Sequence, residues 1–276
     1  MSPLNAALRS VFDLLLAPFA AWPPIVSLTL VSLLVSVLML VVFKRTSDQA
    51  GLLAVKRKIH AGLFEIRLFN DDLRAILRAQ NEILRHNVTY LRLSLWPMVF
   101  LLPPLVLVIA QLQFHYGYEG LRPGQRALLE VDLDPAVGGG GRPQAALSLP
   151  VGLRAETEPA WIKADSQLLW RLVAEHEGDY LLGLDIAGAP RVTKTVRVTS
   201  RTVRLSPVRV DTGFLSQLLY PAEPPLPSEG PVHAIHVSYP EREVPVLGFH
   251  MYWMIPFFVL SIAFAFALRG LFKVTI

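Results

Sequence analysis

The chain has 276 residues, of which 53% are hydrophobic and 17% are charged, and its mean hydropathy is +0.44. An ordinary soluble domain carries about 25% charged residues, so this composition excludes one and indicates an integral membrane protein. The formal net charge is +4, and the chain has no cysteine, which excludes disulfides, thiolate zinc sites and cysteine nucleophiles.

The N-terminal stretch, residues 1–22, predicts an amphipathic helix that lies in the outer membrane interface and leads into the first span. Asp13 interrupts the apolar stretch and no small-x-small cleavage site precedes Trp22, which argues against a signal peptide. Pro23-Pro24 predicts a break between this helix and the next. A frayed N-terminus is the alternative.

Three uncharged apolar runs predict transmembrane helices at residues 23–43, 93–115 and 244–268. Each run is close to the roughly 20 residues that a helix needs to cross a bilayer. Within the uncharged runs Ile25 to Phe43, Leu93 to Phe114 and Val244 to Leu268, no ionisable group other than His250, at the outer edge of the third, would indicate an ion or proton path.

Mild polarity inside the spans predicts a groove between the first and the second. Hydroxyl residues at spacings of three and four share one face of the first span, and three prolines (97, 103 and 104) are predicted to break the second. The alternative is that the hydroxyl groups are helix-packing contacts and the prolines form a structural kink. The candidate groove residues are Thr29, Ser32, Ser36, Pro103 and Gln111.

The distribution of charge predicts the orientation of the chain. Residues 44–92 carry ten basic and five acidic residues, whereas residues 115–243 carry 13 basic and 16 acidic residues. Because cytoplasmic loops collect Lys and Arg, we expect the first segment and the tail, residues 269–276, to be cytoplasmic. The N-terminus and the second segment are then outside the inner (plasma) membrane. The basic excess thus reports topology, and no nucleic-acid partner is expected.

Residues 44–92 predict an antiparallel helical hairpin, a short coiled coil, because apolar residues recur every three or four positions. The chain must return to the membrane, and Asn70-Asp71-Asp72 is the predicted point of reversal. Its cations predict a surface that contacts anionic lipid or a client protein. A solvated helical face with ordinary positive-inside charge is the alternative. The candidate contact residues are Lys56, Arg57, Lys58 and Arg85.

Residues 116–243 predict an all-β domain outside the membrane. Ala127 to Leu133, Arg191 to Val198 and Arg201 to Val210 alternate apolar and polar residues, as short antiparallel strands do. Tyr180 follows a Gly-Asp turn and resembles the tyrosine corner of immunoglobulin-like domains, so we predict an immunoglobulin-like β-sandwich. Gly138 to Gly141 lacks a following Lys-Ser/Thr and predicts a flexible strand connection.

Motifs for chemistry are absent from the sequence. There is no Gly-x-Ser-x-Gly and no His-Glu-x-x-His, and His233 and His236 would point to opposite faces of a strand. We therefore predict that the protein is not an enzyme and has no catalytic, cofactor-binding or metal-binding residues.

The order of the predicted parts resembles the Oxa/YidC/Get insertase superfamily. The matching parts are the basic hairpin Lys44 to Arg92, a second span that starts Trp96-Pro97-Met98, and a last span Trp253 to Leu268. The resemblance covers residues 4–115 and 250–276, and it is greatest to the three-span branch that includes archaeal YidC-like proteins and the third subunit of the ER membrane complex. It implies that the three spans form a groove for a client helix, which the hairpin receives in the cytoplasm.

Two classes of function therefore compete. The first is an insertase-like membrane-protein biogenesis factor whose partners are the lipid bilayer and a membrane-protein client. The second is a membrane anchor or assembly subunit whose outer β-sandwich binds a partner subunit. The hairpin favours the first class. The second is favoured by the β-domain inserted between the second and third spans, by the lack of an intramembrane arginine, and by a hairpin without methionine.

Overall fold

The computed structural model describes residues 3–69, 71–135, 137, 141–187, 189–228, 230–246 and 248–274. The chain divides into two compact units. The β-rich unit comprises Met1–Ser27 and Leu107–Met254, and the helical unit comprises Leu28–Val106 and Ile255–Ile276. Three helices are long and apolar enough to cross a membrane, and antiparallel sheets form a separate region, as the sequence predicts.

The helices, in chain order, are α1 Pro3–Leu16, α2 Pro24–Thr46, α3 Gln49–Leu68, α4 Leu73–Tyr116, α5 Phe214–Leu219 and α6 Met254–Phe272, with a short 3-10 turn at Ala17–Phe19. The strands are β1 Arg126–Leu133, β2 Ala145–Ser148, β3 Leu153–Ala155, β4 Ala160–Ile162, β5 Gln167–Ala174, β6 Gly178–Ile186, β7 Val192–Val198, β8 Val208–Val210, β9 Val232–Val237, β10 Glu243–Val246 and β11 Phe249–Tyr252.

In the helical unit, α3 and α4 run on either side of the predicted reversal. Asp48 caps α3 by accepting a hydrogen bond from the Gly51 amide at 2.9 Å, and Asp72 accepts one from the Arg74 amide at 2.9 Å at the start of α4. Asn70, the first residue of the predicted reversal, lies outside the described residues. The two helices approach closely at Gly62, where an added Cβ would lie 2.7 Å from Cγ1 of Ile83.

The predicted break in the second span is wrong. Helix α4 continues without interruption from Leu73 to Tyr116 through Pro97, Pro103 and Pro104. A proline removes one backbone hydrogen-bond donor, but the backbone hydrogen bonds on either side are enough to keep an apolar helix continuous. The second arm of the hairpin and the second span are therefore one helix of 44 residues, which is roughly 66 Å long at 1.5 Å per residue.

The last predicted span also begins later than the sequence indicates. Strands β10 (Glu243–Val246) and β11 (Phe249–Tyr252) form a two-stranded ribbon, and α6 starts only at Met254. An uncharged apolar run does not by itself distinguish a strand from a helix. Gly248, with φ +86°, supplies the backbone conformation that the turn of the ribbon requires.

The β-rich unit contains two further antiparallel sheets that share one hydrophobic core. One sheet has the order β3-β5-β1-β9-β8, with β4 also paired to β5, and the other has the order β2-β6-β7. Inward-facing residues of both sheets, such as Leu129, Trp170 and Val196, belong to a single buried cluster. Of the predicted strand Arg201 to Val210, only β8 forms.

Helix α1 packs against the β-rich unit. The Asn5 side chain donates to the carbonyl of Gln217 at 2.7 Å, and the Thr202 amide donates to the carbonyl of Ala20 at 3.0 Å. The sequence predicts an amphipathic helix in the membrane interface, and these contacts show that one side of it is covered by protein.

Candidate functional site

The hydroxyl face of α2 packs against α6. The Ser36 hydroxyl lies 2.8 Å from the carbonyl oxygen of Ser261 and 2.6 Å from that of Ser32, and the Ser32 hydroxyl lies 3.5 Å from the carbonyl oxygen of Phe257. Both serines are buried. The sequence predicts that this face lies opposite Pro103 of the second span. In the structure Pro103 is exposed, and the two serines bond to the third span.

Two of the five candidate groove residues, Ser32 and Ser36, contact the third span. Ser32 and Ser36 hold two helices together, which is the packing role that the sequence left as the alternative. Thr29 is half-buried on the same helix. Gln111 belongs to the β-rich unit, where it is buried and its Oε1 has no hydrogen-bond partner among the described residues.

The candidate cations of the hairpin lie mostly at its surface. Arg57, Lys58 and Arg85 are exposed, and Lys56 is half-buried. Three of the four are therefore accessible from outside the protein.

A row of exposed apolar residues on α4 is a feature that the sequence analysis missed. Six of the exposed apolar side chains on this helix, each between 55% and 69% exposed, lie on one face. At 100° per residue they fall within an arc of about 60°, so they form one stripe that runs along roughly 33 Å of the helix. We call them the α4 stripe: Leu73, Leu77, Leu84, Val88, Leu91 and Leu95.

Helix α3 also exposes large apolar residues near its end. Phe64 and Leu68, near the end of α3, are 70% and 74% exposed, and Phe69 follows them at 50%. The sequence analysis explains the helical periodicity of this segment by contact between two helices. In the structure, α3 buries only Leu52 and Val55. The sequence did indicate this exposed surface, because the segment has more large apolar residues than one contact between two helices can bury.

At its far end the stripe lines a groove of the helical unit. The groove has a volume of about 940 Å³, which is within the range of ligand-binding clefts. Asp48 and Arg92 are the charged residues of its wall. The wall is otherwise mainly apolar, and it is formed by Thr46, Asp48, Val88, Leu91, Arg92, Leu93, Leu95, Trp96 and Val99.

The β-rich unit contains a buried ion pair that the sequence did not predict. The Lys194 ammonium contacts a carboxylate oxygen of Glu223 and the Ser206 hydroxyl, the latter at 2.9 Å, and Ser206 in turn donates to Glu223 at 2.7 Å. Burial lowers the pKa of Lys194 to about 8, so the side chain is still a cation at neutral pH. A protonated lysine bound to a carboxylate is not a base, so this trio stabilises the fold and does not activate Ser206.

A second buried cluster connects α1, the end of α4 and the segment before β8. Nη2 of Arg204 lies 2.9 Å from Oδ1 of Asp13, 3.0 Å from the carbonyl oxygen of Arg9 and 3.5 Å from Nε2 of His115. Burial opposes ionisation of Asp13, but the hydrogen bond from His115 and the charge of Arg204 outweigh it and lower the pKa of this carboxyl group. The ion pair and hydrogen bonds of Arg204 therefore join α1 to the segment before β8.

The two histidines of β9 lie beside different carboxylates. Nε2 of His236 is 3.1 Å from Asp132, and Nε2 of His233 is 3.9 Å from Asp134. Among the described residues, no group of three or more His, Asp or Glu side chains is arranged to hold a metal ion.

Comparisons with known proteins add no relative: no protein-family model, no curated protein and no solved structure matches the chain.

Proposed function

We propose that the chain is a non-enzymatic, insertase-like factor of membrane-protein biogenesis, and that the α4 stripe is the surface that receives its client. The observation that supports this proposal is the exposure of the stripe along a helix that continues into an apolar span. An apolar face of this length matches the apolar face of an amphipathic or transmembrane client helix.

The groove at the end of the stripe gives the client a path toward the bilayer. Leu91 and Leu95 belong both to the stripe and to the groove wall, so the stripe leads into the groove. Arg92 and Asp48 of the groove wall offer polar groups that can hydrogen-bond the short polar tail of such a segment. This polarity lies at the end of the groove, so the proposal needs no arginine within the span.

The proposal includes an orientation in the inner (plasma) membrane. We place the hairpin and the tail, residues 269–276, in the cytoplasm because of their excess of Lys and Arg. The N-terminus and the β-rich unit are then on the outside. The resemblance to the Oxa/YidC/Get insertase superfamily, which has the same order of helices, is consistent with this arrangement.

We further propose that the β-rich unit is an immunoglobulin-like sandwich. Its pairings β3-β5-β1 and β2-β6-β7 correspond to the D-E-B and C-F-G strands of that class, with β9 in the position of strand A. The Tyr180 hydroxyl donates to the carbonyl of His176 at 2.9 Å, which is the bond expected of a tyrosine corner.

The alternative function, a membrane anchor or assembly subunit, has one observation in its favour. Phe214 and Leu215 on α5 are 71% and 68% exposed, so the β-rich unit also presents apolar side chains that a partner subunit can cover. The two functions differ in what contacts α4.

Photo-crosslinking distinguishes the two functions. A photoreactive amino acid is placed at Leu84 on the stripe, and, as the matched control, at Leu181, an exposed leucine of β6. During synthesis of a small membrane protein with a short translocated tail, we expect crosslinks to its apolar segment from position 84 and none from position 181. Crosslinks from position 84 only to a constant, fully assembled subunit would overturn the insertase proposal and favour the anchor.

A further inference from the structure

We propose that the outer faces of α1 and α5 together form a lipid-binding surface, which inserts into the headgroup region of the membrane on the side of the β-rich unit. The structure joins the two helices, because the Asn5 side chain of α1 donates to the carbonyl of Gln217 of α5 at 2.7 Å. Large apolar side chains, between 48% and 79% exposed, form what we call the α1–α5 patch: Val11, Leu14, Phe214, Leu215 and Leu219. The sequence predicts an interfacial position for α1 alone.

Helix α1 has its polarity reversed relative to a surface helix in water. Four exposed uncharged residues share one face, an arc of roughly 100° on the helical wheel: Ala7, Ser10, Val11 and Leu14. The two charged residues of the helix, Arg9 and Asp13, lie outside this arc, and Asp13 is paired with Arg204 at 2.9 Å. A surface helix in water turns its charged residues outward. The outward face of α1 instead suits an apolar surrounding.

Ser10 is the polar residue of this outward face, and its hydroxyl bonds within its own helix. It donates to the carbonyl of Ala6 at 3.0 Å. A serine hydroxyl that bonds to the carbonyl four residues earlier is satisfied without water. The outward face of α1 can therefore enter lipid without leaving this donor unpaired.

Helix α5 is the second part of the patch, and it is uncharged. Residues 212–220 contain no Asp, Glu, Lys, Arg or His. The helix buries none of its six residues, while Phe214 and Leu215 are 71% and 68% exposed. In water these side chains contribute nothing to the stability of so short a helix, whereas transfer to the membrane interface is favourable for both.

Contacts with the last turn of α4 place the patch at the end of a candidate span. The ring centroid of Tyr220, which follows α5, lies 6.2 Å from that of Phe114. Oδ1 of Asp13 in α1 lies 3.3 Å from Nε2 of His115. The candidate span Ile76–Tyr116 ends at this turn. The patch is thus continuous with a surface that meets the membrane.

This continuity favours lipid over a partner subunit as the occupant of the patch. Trp22, between α1 and α2, is 57% exposed. Tryptophan side chains prefer the headgroup level of a membrane, so its position agrees with that of the patch. We expect the patch to enter the membrane by about 5–10 Å, as interfacial helices do. This contact is independent of client insertion.

The test measures the depth of single fluorescent labels in the full-length protein. Because the native chain has no cysteine, Leu14→Cys and Phe214→Cys each carry one bimane label. The proteins are reconstituted in phosphatidylcholine nanodiscs, with and without a lipid that has a nitroxide on its acyl chain near the headgroup. We expect this lipid to quench at least about half of both signals, since insertion to the acyl boundary brings the labels against the nitroxide. Iodide in the water should quench both labels weakly.

Ile162→Cys is the matched control, because Ile162 is also an exposed apolar residue of the β-rich unit. Ile162 pairs with Gln167, which in turn pairs with Asp132 of β1. Asp132 lies roughly 20 Å along β1 from Arg126, the start of the first strand after α4. This label should be quenched by iodide and not by the nitroxide lipid.

Three results would contradict the proposal. The first is quenching of both patch labels by iodide and of neither by the nitroxide lipid, or equal nitroxide quenching at Ile162→Cys. The second is protection from both quenchers, which would mean that a second copy of the chain covers the patch. The third is nitroxide quenching of Leu14→Cys alone, which would confine the lipid contact to α1. Leu215→Cys replaces Phe214→Cys if the latter does not fold.

Discussion

Lys194 and Glu223 form a buried ion pair within the β-rich unit. Lys194 is fully buried, and its ammonium group is surrounded by Glu223 and by the hydroxyl and carbonyl oxygens of Ser206. Glu223 also accepts from the Thr195 amide at 2.8 Å, so the pair joins β7 to the chain after α5. Such a pair is costly to desolvate, and it is far more costly to leave half of it unpaired.

We therefore predict that Lys194→Met destabilises the protein by about 3–5 kcal/mol, because it leaves Glu223 charged and buried without its partner. The double variant Lys194→Met with Glu223→Gln removes both charges and should recover most of this loss. Urea unfolding followed by tryptophan fluorescence measures both free energies. A double variant no more stable than the single one would contradict the ion-pair account.

The same pair predicts how stability depends on pH. Burial opposes ionisation of Glu223, but the Lys194 charge and the hydrogen bonds to this carboxylate outweigh it and lower its pKa below the ordinary value of 4.5. Its contribution to stability is therefore present above the unfolded-state pKa and is lost as the pH falls through the folded-state pKa. The double variant should lose less stability on acidification below pH 4.5 than the native protein. Equal acid sensitivity in urea titrations at each pH would rule this role out.

Among the helices and strands, those with strong periodicity were predictable from sequence. Strands β1 and β7 alternate buried and half-buried residues along their whole length, and both are where the period of two places them. The three candidate spans also follow from uncharged length alone. These patterns are local, so the sequence contains what is needed to recognise them.

The elements that sequence analysis misplaced depend on contacts between distant residues. The start of the third apolar run is a ribbon because β10 pairs with β11. Helix α4 is continuous across Pro103, since the backbone hydrogen bonds on either side of this proline keep it helical. The partner of Ser36 is a carbonyl 225 positions away, and Arg204 meets Asp13 across 191 positions of sequence. No local pattern encodes which of several polar groups a buried side chain will find.

The contact between α2 and α6 gives a prediction at this level. Ser36→Ala removes the hydrogen bond to Ser261 and should destabilise the helix pair by about 1 kcal/mol, as interhelical bonds in membranes do. Ser10→Ala is the matched control, because the Ser10 hydroxyl bonds only within its own helix, to the carbonyl of Ala6, at an exposed position. Melting in detergent should be lower for Ser36→Ala than for Ser10→Ala. Equal melting temperatures would mean that Ser36 does not hold the two helices together.

The chain as a whole is expected to have the hairpin and the β-rich unit on opposite sides of the membrane. The native chain has no cysteine, so single cysteines report on one position each. Gln80→Cys on α4 and Ala164→Cys before β5 are both at exposed positions. In intact cells, an impermeant maleimide should label only Ala164→Cys, because the positive hairpin stays inside. Labelling of Gln80→Cys instead would invert the topology.

The proposed function gives a role to the hairpin, the groove and the spans. It also requires one property of the α4 stripe. The apolar side chains must be needed for client transfer and not for folding, since they are exposed in the helical unit. Leu77→Gln, Leu84→Gln and Leu91→Gln together replace three of the six apolar side chains of the stripe while keeping residues that favour a helix. The control carries Val151→Gln and Leu181→Gln, two exposed apolar positions of the β-rich unit.

The most direct measurement is insertion of a short-tailed model client into liposomes that contain the purified protein. Protease protection of the client tail measures the inserted fraction. The account predicts insertion well above that of empty liposomes with the native protein and with the control variant, and a return to the empty-liposome level with the stripe variant at unchanged melting temperature. Insertion by the stripe variant equal to that of the native protein, or no insertion by the native protein at all, would contradict it.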